Sequence, residues 1–206
     1  MAQMPKSALP PFTRYTDAVI YELSVRDFTH QAQCGTRTHG QYRSLCEVGT
    51  TLQGKPTGLD YLASLGVTHV QLMPVADFAT VDEEHPELFY NWGYDPLQYG
   101  CPEGSYASDP NDPRCRVREL KQLIATPMRA DCASIWTSCS TITMISSSLF
   151  GCVPYYYFRT TPSGFLSNGS FLRQRYGFDK TDDAQVHRRY RAAGLRFMTS
   201  TASGLT

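Results

Sequence analysis

The stretch Phe89-Tyr90-Asn91-Trp92-Gly93-Tyr94-Asp95-Pro96 packs four aromatic rings, an amide, a carboxylate, a glycine and a proline into eight residues. Neither alternation nor a 3.6-residue period runs through it, which excludes a plain strand or helix. Gly93 and the Asp95-Pro96 pair mark a turning backbone. Two readings fit this composition. One is an aromatic cluster that plugs a loop onto the core. The other is a platform for sugars, with flat amphipathic rings beside a carboxylate.

The flanking sequence bears on the choice. Upstream, Val67-Thr68-His69-Val70-Gln71-Leu72-Met73 is a short apolar run stopped by Pro74, which predicts a strand. His69 reads there as a strand histidine with satisfied hydrogen bonds rather than as a ligand. Before it, Thr57 and Asp60 stand at capping-box-like spacing, Leu59, Leu62, Ala63 and Leu65 form an apolar stripe, and Gly66 is a natural terminator, all predicting a helix. Residues 29–56 are polar and Gly-rich and read as a loop. Earlier still, Ala18 to Phe28 alternates: Val19, Tyr21, Leu23 and Val25 share one face and Glu22, Ser24 and Arg26 the other, which predicts a strand. The polar face suits either a barrel interior or a half-exposed sheet. Strand, helix and strand with short joints predict a parallel βαβ unit. Residues 1–16, with three prolines and little pattern, read as a linker or the stump of a preceding domain.

From Val75 to Pro113 no regular element is predicted. A loop of that length inside a compact domain is either functional or a misassignment. It carries Phe78, Phe89, Tyr90, Trp92, Tyr94, Tyr99 and Tyr106, and it leaves the C-terminal end of a parallel strand, where α/β barrels build their sites. That position favours the sugar platform. A helix follows, with Asp112 as cap, Pro113 in the first turn, and Val117, Leu120 and Ile124 expected to face inward.

Composition narrows the partners. The 206 residues carry 19 basic and 19 acidic side chains, so nothing points to nucleic acid or to an anionic membrane. No apolar run approaches the length of a membrane span, and no secretory signal is visible. Seven cysteines without Cys-x-x-Cys spacing read as free thiols in a reducing, cytoplasmic setting, with no metal site and no cofactor motif.

With these elements placed, a family resemblance emerges. Asp17 to Leu23 with Val25-Arg26-Asp27-Phe28 resembles the first barrel strand of type I pullulanases, debranching enzymes of the α-amylase superfamily (glycoside hydrolase family 13). Thr57 to Leu62 and Gly66 to Val75 resemble their first helix and second strand. Tyr90-Asn91-Trp92-Gly93-Tyr94-Asp95-Pro96 resembles the signature that separates pullulanases from other amylase relatives. Pro102-Glu103-Gly104-Ser105-Tyr106 and Arg116 to Lys121 continue it, so that the resemblance covers residues 17–125. It implies an α/β fold: the first two or so units of an incomplete TIM (β/α)8 barrel. It also implies an α-glucan partner, cleaved at α-1,6-glucosidic links with retention. Such chemistry needs a nucleophilic carboxylate and a protonated carboxyl about 5–5.5 Å apart; in the family these come from the fourth and fifth strands, with a further Asp after the seventh, so no catalytic residue is assigned here. By the same resemblance Tyr94 stacks on the sugar at the cleavage subsite. Asn91 and Asp95 shape the loop around it, and Trp92 and Tyr90 complete the substrate-binding set.

After Ala125 the resemblance breaks. Thr126 to Thr141 opens with Pro127, is rich in small polar residues and lacks a buried-strand pattern. Family-like text returns at Pro154 to Arg159 and at Ser167 to Ser170, and is lost again from Leu172 to Thr206. A shift of reading frame accounts for both gaps. Read from each codon's third base, Trp136 followed by Thr137 forces an Asp codon, and the neighbours permit the missing third-strand motif His-Met-Asp-Val-Val-Phe-Asn-His. Residues 126–206 are therefore expected to be largely irregular and the ordered remainder marginal. Asn168-Gly169-Ser170, Asp182-Asp183 with His187, and Arg188-Arg189-Tyr190-Arg191 carry no weight as sites, and Asp82-Glu83-Glu84-His85 reads as a solvated loop face.

Overall fold

In the computed structural model, residues 14–126, 133–136, 142–143, 156, 160–165 and 174–175 are described. The architecture is mixed α/β, with small sheets rather than one continuous one. Strand β1 (Ile20–Leu23) leads straight into helix α1 (Val25–Thr29). The hairpin β2 (Thr51–Leu52) and β3 (Lys55–Pro56) precedes α2 (Gly58–Ser64), which returns the chain to β4 (His69–Leu72). Strands β5 (Ala76–Phe78) and β6 (Pro96–Pro102) follow, then α3 (Pro113–Ala125), β7 (Ala133–Trp136), β8 (Ile142–Thr143) and β9 (Gln174–Arg175).

The βαβ unit forms as the alternation predicts. Strand β1 pairs parallel to β4, with Ile20 opposite His69 and Leu23 opposite Leu72. Tyr21 and Leu23 thus share a face with Val70 and Leu72, and this face packs with Leu62, Leu120 and Leu123 into one core. Each such buried side chain contributes about 1.5–3 kcal/mol. On the opposite face Gln71 Nε2 donates to Glu22 Oε1 at 3.0 Å. His69 lies in the strand with its Nδ1 2.8 Å from the Thr68 hydroxyl.

Several elements differ from their sequence reading. The first strand stops at Leu23, because Ser24 caps a helix: its Oγ accepts from Asp27 N at 3.3 Å. Alternation from Val19 to Val25 was therefore a strand joined to a helical turn, in which Val25 and Thr29 are buried. Helix α2 begins after Thr57, but no capping box forms; the Thr57 hydroxyl bonds the Cys34 carbonyl, and Asp60 accepts from Gly49 N. Leu59 and Leu62 are buried while Leu65 lies exposed, and Gly66 ends the helix with φ +71°. The loop over residues 29–56 contains short 3-10 turns that bury Tyr42 and Leu45.

Two corrections concern strands. Residues 75–113 hold the antiparallel pair β5–β6, whose register shifts at Ala76/Asp77 and Asp77/Phe78 break the alternation that would reveal it. Ala133–Trp136, where no third strand was expected, runs parallel to β4 with His69 opposite Ala133 and Leu72 opposite Trp136. Backbone pairing needs no particular side chains, so composition alone was a poor guide there. The three-stranded order is β1-β4-β7, with β1 outermost among the described residues. The motifs at 167–170 and 182–191 lie outside the described residues. No helix among the described residues is long and apolar enough to cross a membrane.

Candidate functional site

The aromatic loop, residues 79–95, joins β5 to β6 and stands over the carboxyl ends of β1 and β4. Two positions fix it there. Gly93 lies against Pro74, directly beyond β4: its φ is +81°, and a Cβ at this position would come within 2.5 Å of the Pro74 carbonyl oxygen. Only glycine meets both demands. At the other strand, Arg26 and Asp27 in α1 reach the loop. Arg26 Nη1 donates to the Phe89 carbonyl at 3.0 Å, its guanidinium stands 5.7 Å from the Tyr90 ring centroid, and the Tyr90 hydroxyl donates to Asp27 Oδ2. That bond to a carboxylate holds the Tyr90 phenol above its ordinary range.

Inside the loop a short polar chain sets its shape. Asn91 Nδ2 donates to Thr80 Oγ1 at 2.7 Å, Thr80 donates on to Asp95 Oδ2 at 2.7 Å, and Asn91 Oδ1 accepts from Gly93 N at 2.7 Å. Asp95 is buried, at 4% exposure, so its carboxylate serves the loop's interior. The rings behave oppositely. Phe89, Tyr90, Trp92 and Tyr94 expose 57%, 58%, 65% and 38% of their surface. Tyr90 and Trp92 meet edge to face, centroids 6.4 Å apart. These four rings are not covered by the described core. The structure brings Tyr90, Asn91, Trp92, Tyr94 and Asp95 into one loop, with two of them turned inward to hold it and three turned outward.

A second cluster was not legible. Asp77, Glu83 and Glu103 offer oxygens all within 4.8 Å of one another. Arg116 answers their charge: it bonds both oxygens of Glu83 and lies 3.9 Å from Asp77. The pairing of Arg116 with Glu83 and Asp77 ties the loop to α3 through Glu83. Glu83 is thus no part of a solvated face. Glu103 is wholly buried and accepts from Phe78 N at 3.0 Å and Ser105 N at 2.8 Å. Burial nevertheless pushes its carboxyl up to about 7, and burial with the Glu83 charge pushes Asp77 up to about 6. The four described cysteines, Cys34, Cys46, Cys101 and Cys115, are free thiols.

No model of a protein family matches the chain. Individual proteins do. A pullulanase of Bacillus subtilis (strain 168) is 45% identical over 167 residues, 79% of this chain and 23% of that protein. The relatives at 36–45% identity are type I pullulanases. Among solved structures, pullulanase of Anoxybacillus sp. LM18-11 complexed with maltotetraose superposes with a TM-score of 0.86 at 39% identity, over 96% of this chain and 29% of that one. Pullulanase from Paenibacillus barengoltzii in complex with maltohexaose and α-cyclodextrin gives 0.88 at 36% identity, over 94% of this chain and 31% of that one. The match to the pullulanases reaches further than residues 17–125. The chain spans about a quarter of the length of the Bacillus relative and under a third of these two structures.

Proposed function

We propose that this chain is the N-terminal part of the catalytic barrel of a pullulanase-like glycoside hydrolase acting on α-1,6-glucosidic links in pullulan, glycogen or starch. Residues 17–125 supply the first βα units of an incomplete (β/α)8 barrel, with a linker or domain stump at 1–16 and a disrupted region at 126–206. On this reading the chain contributes substrate contacts but not the reacting carboxyls. Tyr94, Trp92 and Tyr90 offer ring faces to an α-glucan, while Asn91 and Asp95 hold the loop that presents them. The protein works in the cytoplasm and needs no cofactor.

One observation carries the reading: four solvent-exposed rings on a rigidly tethered loop over the carboxyl ends of two parallel strands. Pullulanases of the same fold have been solved with maltotetraose and maltohexaose bound, which supports an α-glucan as the ligand. A second reading, a non-catalytic glucan-binding piece, shares that observation. Affinity electrophoresis in pullulan tests both. The chain should be retarded, and Tyr94→Ala should lose most of the retardation; equal mobility of the two proteins at every pullulan concentration would end the glucan reading.

A further inference from the structure

We propose that Arg26 and Asp27 are positioning residues that set the attitude of the Tyr90–Trp92 ring pair toward an α-glucan; this rests on the glucan reading above. The two residues belong to α1, which exists because Ser24 caps it immediately after β1. That cap turns both side chains toward the loop at the carboxyl end of the strand. Other fastenings of the loop act elsewhere: Gly93 against Pro74, Asn91 through Thr80 to Asp95, and Glu83 on Arg116. Phe89 and Tyr90 are instead gripped from α1, by the Arg26 bond to the Phe89 carbonyl and the Asp27 bond to the Tyr90 hydroxyl.

This grip has a specific geometric effect. The guanidinium of Arg26 lies 5.7 Å from the Tyr90 centroid, and the phenolic proton is engaged by a carboxylate. Tyr90 therefore offers a ligand its remaining ring surface rather than a donor. Trp92, at an interplanar angle of 82° to Tyr90, leans on a ring held at its hydroxyl by Asp27. Exposed aromatic side chains otherwise sample several rotamers, and fixing them before binding removes an ordering cost from association. A cation over a ring and a charge-assisted hydrogen bond are the two contacts suited to fix a tyrosine that packing leaves more than half exposed.

The test uses the full 206-residue chain with Trp136→Phe, which leaves Trp92 as the single tryptophan. Fluorescence anisotropy and acrylamide quenching of Trp92 report ring mobility, and calorimetric titration with maltotetraose reports affinity. Asp27→Ala and Tyr90→Phe should each lower the anisotropy and weaken maltotetraose by about three- to tenfold. The double variant should be no worse than either single one, because both remove the same bond. Asp27→Asn, which keeps an acceptor oxygen at the same reach, should recover most of both signals with an unchanged thermal melt. Unaltered anisotropy and affinity in Asp27→Ala would overturn the proposal. So would lower anisotropy with native affinity, which would make the pair a structural tether only. Failure of the underlying glucan reading looks different: Trp92→Ala would then bind maltotetraose as the parent does.

Discussion

A buried carboxyl that accepts two backbone N–H groups is pulled in opposite directions, and in Glu103 burial prevails, raising it to about 7 from an ordinary 4.5. Between those values the folded protein keeps a proton that the unfolded chain has released. The unfolded state therefore binds fewer protons, and stability falls as pH rises across that window, then levels off above it. Asp77, raised to about 6 from 3.8, adds a slope of the same sign beginning lower. Thermal melts from pH 4.5 to 8 should show a declining midpoint. Glu103→Gln should flatten part of that decline and lower stability at pH 5, because its amide nitrogen would face either Phe78 N–H or Ser105 N–H. Parallel pH profiles for the two proteins would refute this assignment. None of it was legible from Pro102 to Tyr106, where Glu103 looks like any loop carboxylate. The reason is distance along the chain: Arg116, which shares its surroundings, bonds Glu83 across a separation of 33 residues. Aromatic composition, by contrast, is local, and so the loop at 89–96 announced itself.

At the scale of the element, legibility followed the strength of the end signals. Helix α3 starts where Asp112-Pro113 says it should, with Asp112 accepting from Arg114 N at 3.0 Å. Its buried stripe is Cys115, Glu119, Leu120 and Leu123, however, and Val117 and Ile124 are only partly covered. Glu119 escaped notice because, apart from Cys115 one turn earlier, its partners, the Ser108 amide and hydroxyl and the Arg43 guanidinium, lie outside the helix. Leu120 is fully buried in the shared core, on a helix that packs against the Tyr42–Cys46 turn and β6. Leu120→Ala should cost about 2–5 kcal/mol of unfolding free energy, against less than half of that for Val117→Ala. Urea titrations at constant m-value would decide, and equal losses at the two positions would contradict the packing described. Strands were harder. Tyr21 and Leu23 pointed correctly to the core face of β1, but the serine at 24 stopped the strand early, and the shifted register of β5–β6 erased any period to read.

For the whole molecule, length sets the limit. Among the described residues the parallel strands are three, in the order β1-β4-β7, where a closed barrel of this type needs eight, and on the proposed reading the reacting carboxyls belong to strands beyond those. Purified chain incubated with pullulan should release no reducing sugar, while binding persists; hydrolysis by homogeneous material would mean that the acid and nucleophile lie within these 206 residues. The sequence made the family and the first βα unit readable because their residues are neighbours in the chain. It concealed β7, since a backbone ladder can form over side chains that carry no pattern.

The outermost place of β1 has a practical side. Ile20, half exposed like Val19 before it, lies on a strand whose outer amides and carbonyls have no strand neighbour among the described residues. Edges of this kind take up a further strand, whether from the same molecule or from another. Glu22 is the one charge on that strand, and it would favour an incoming strand that sets a basic or polar side chain, rather than a second carboxylate, opposite it.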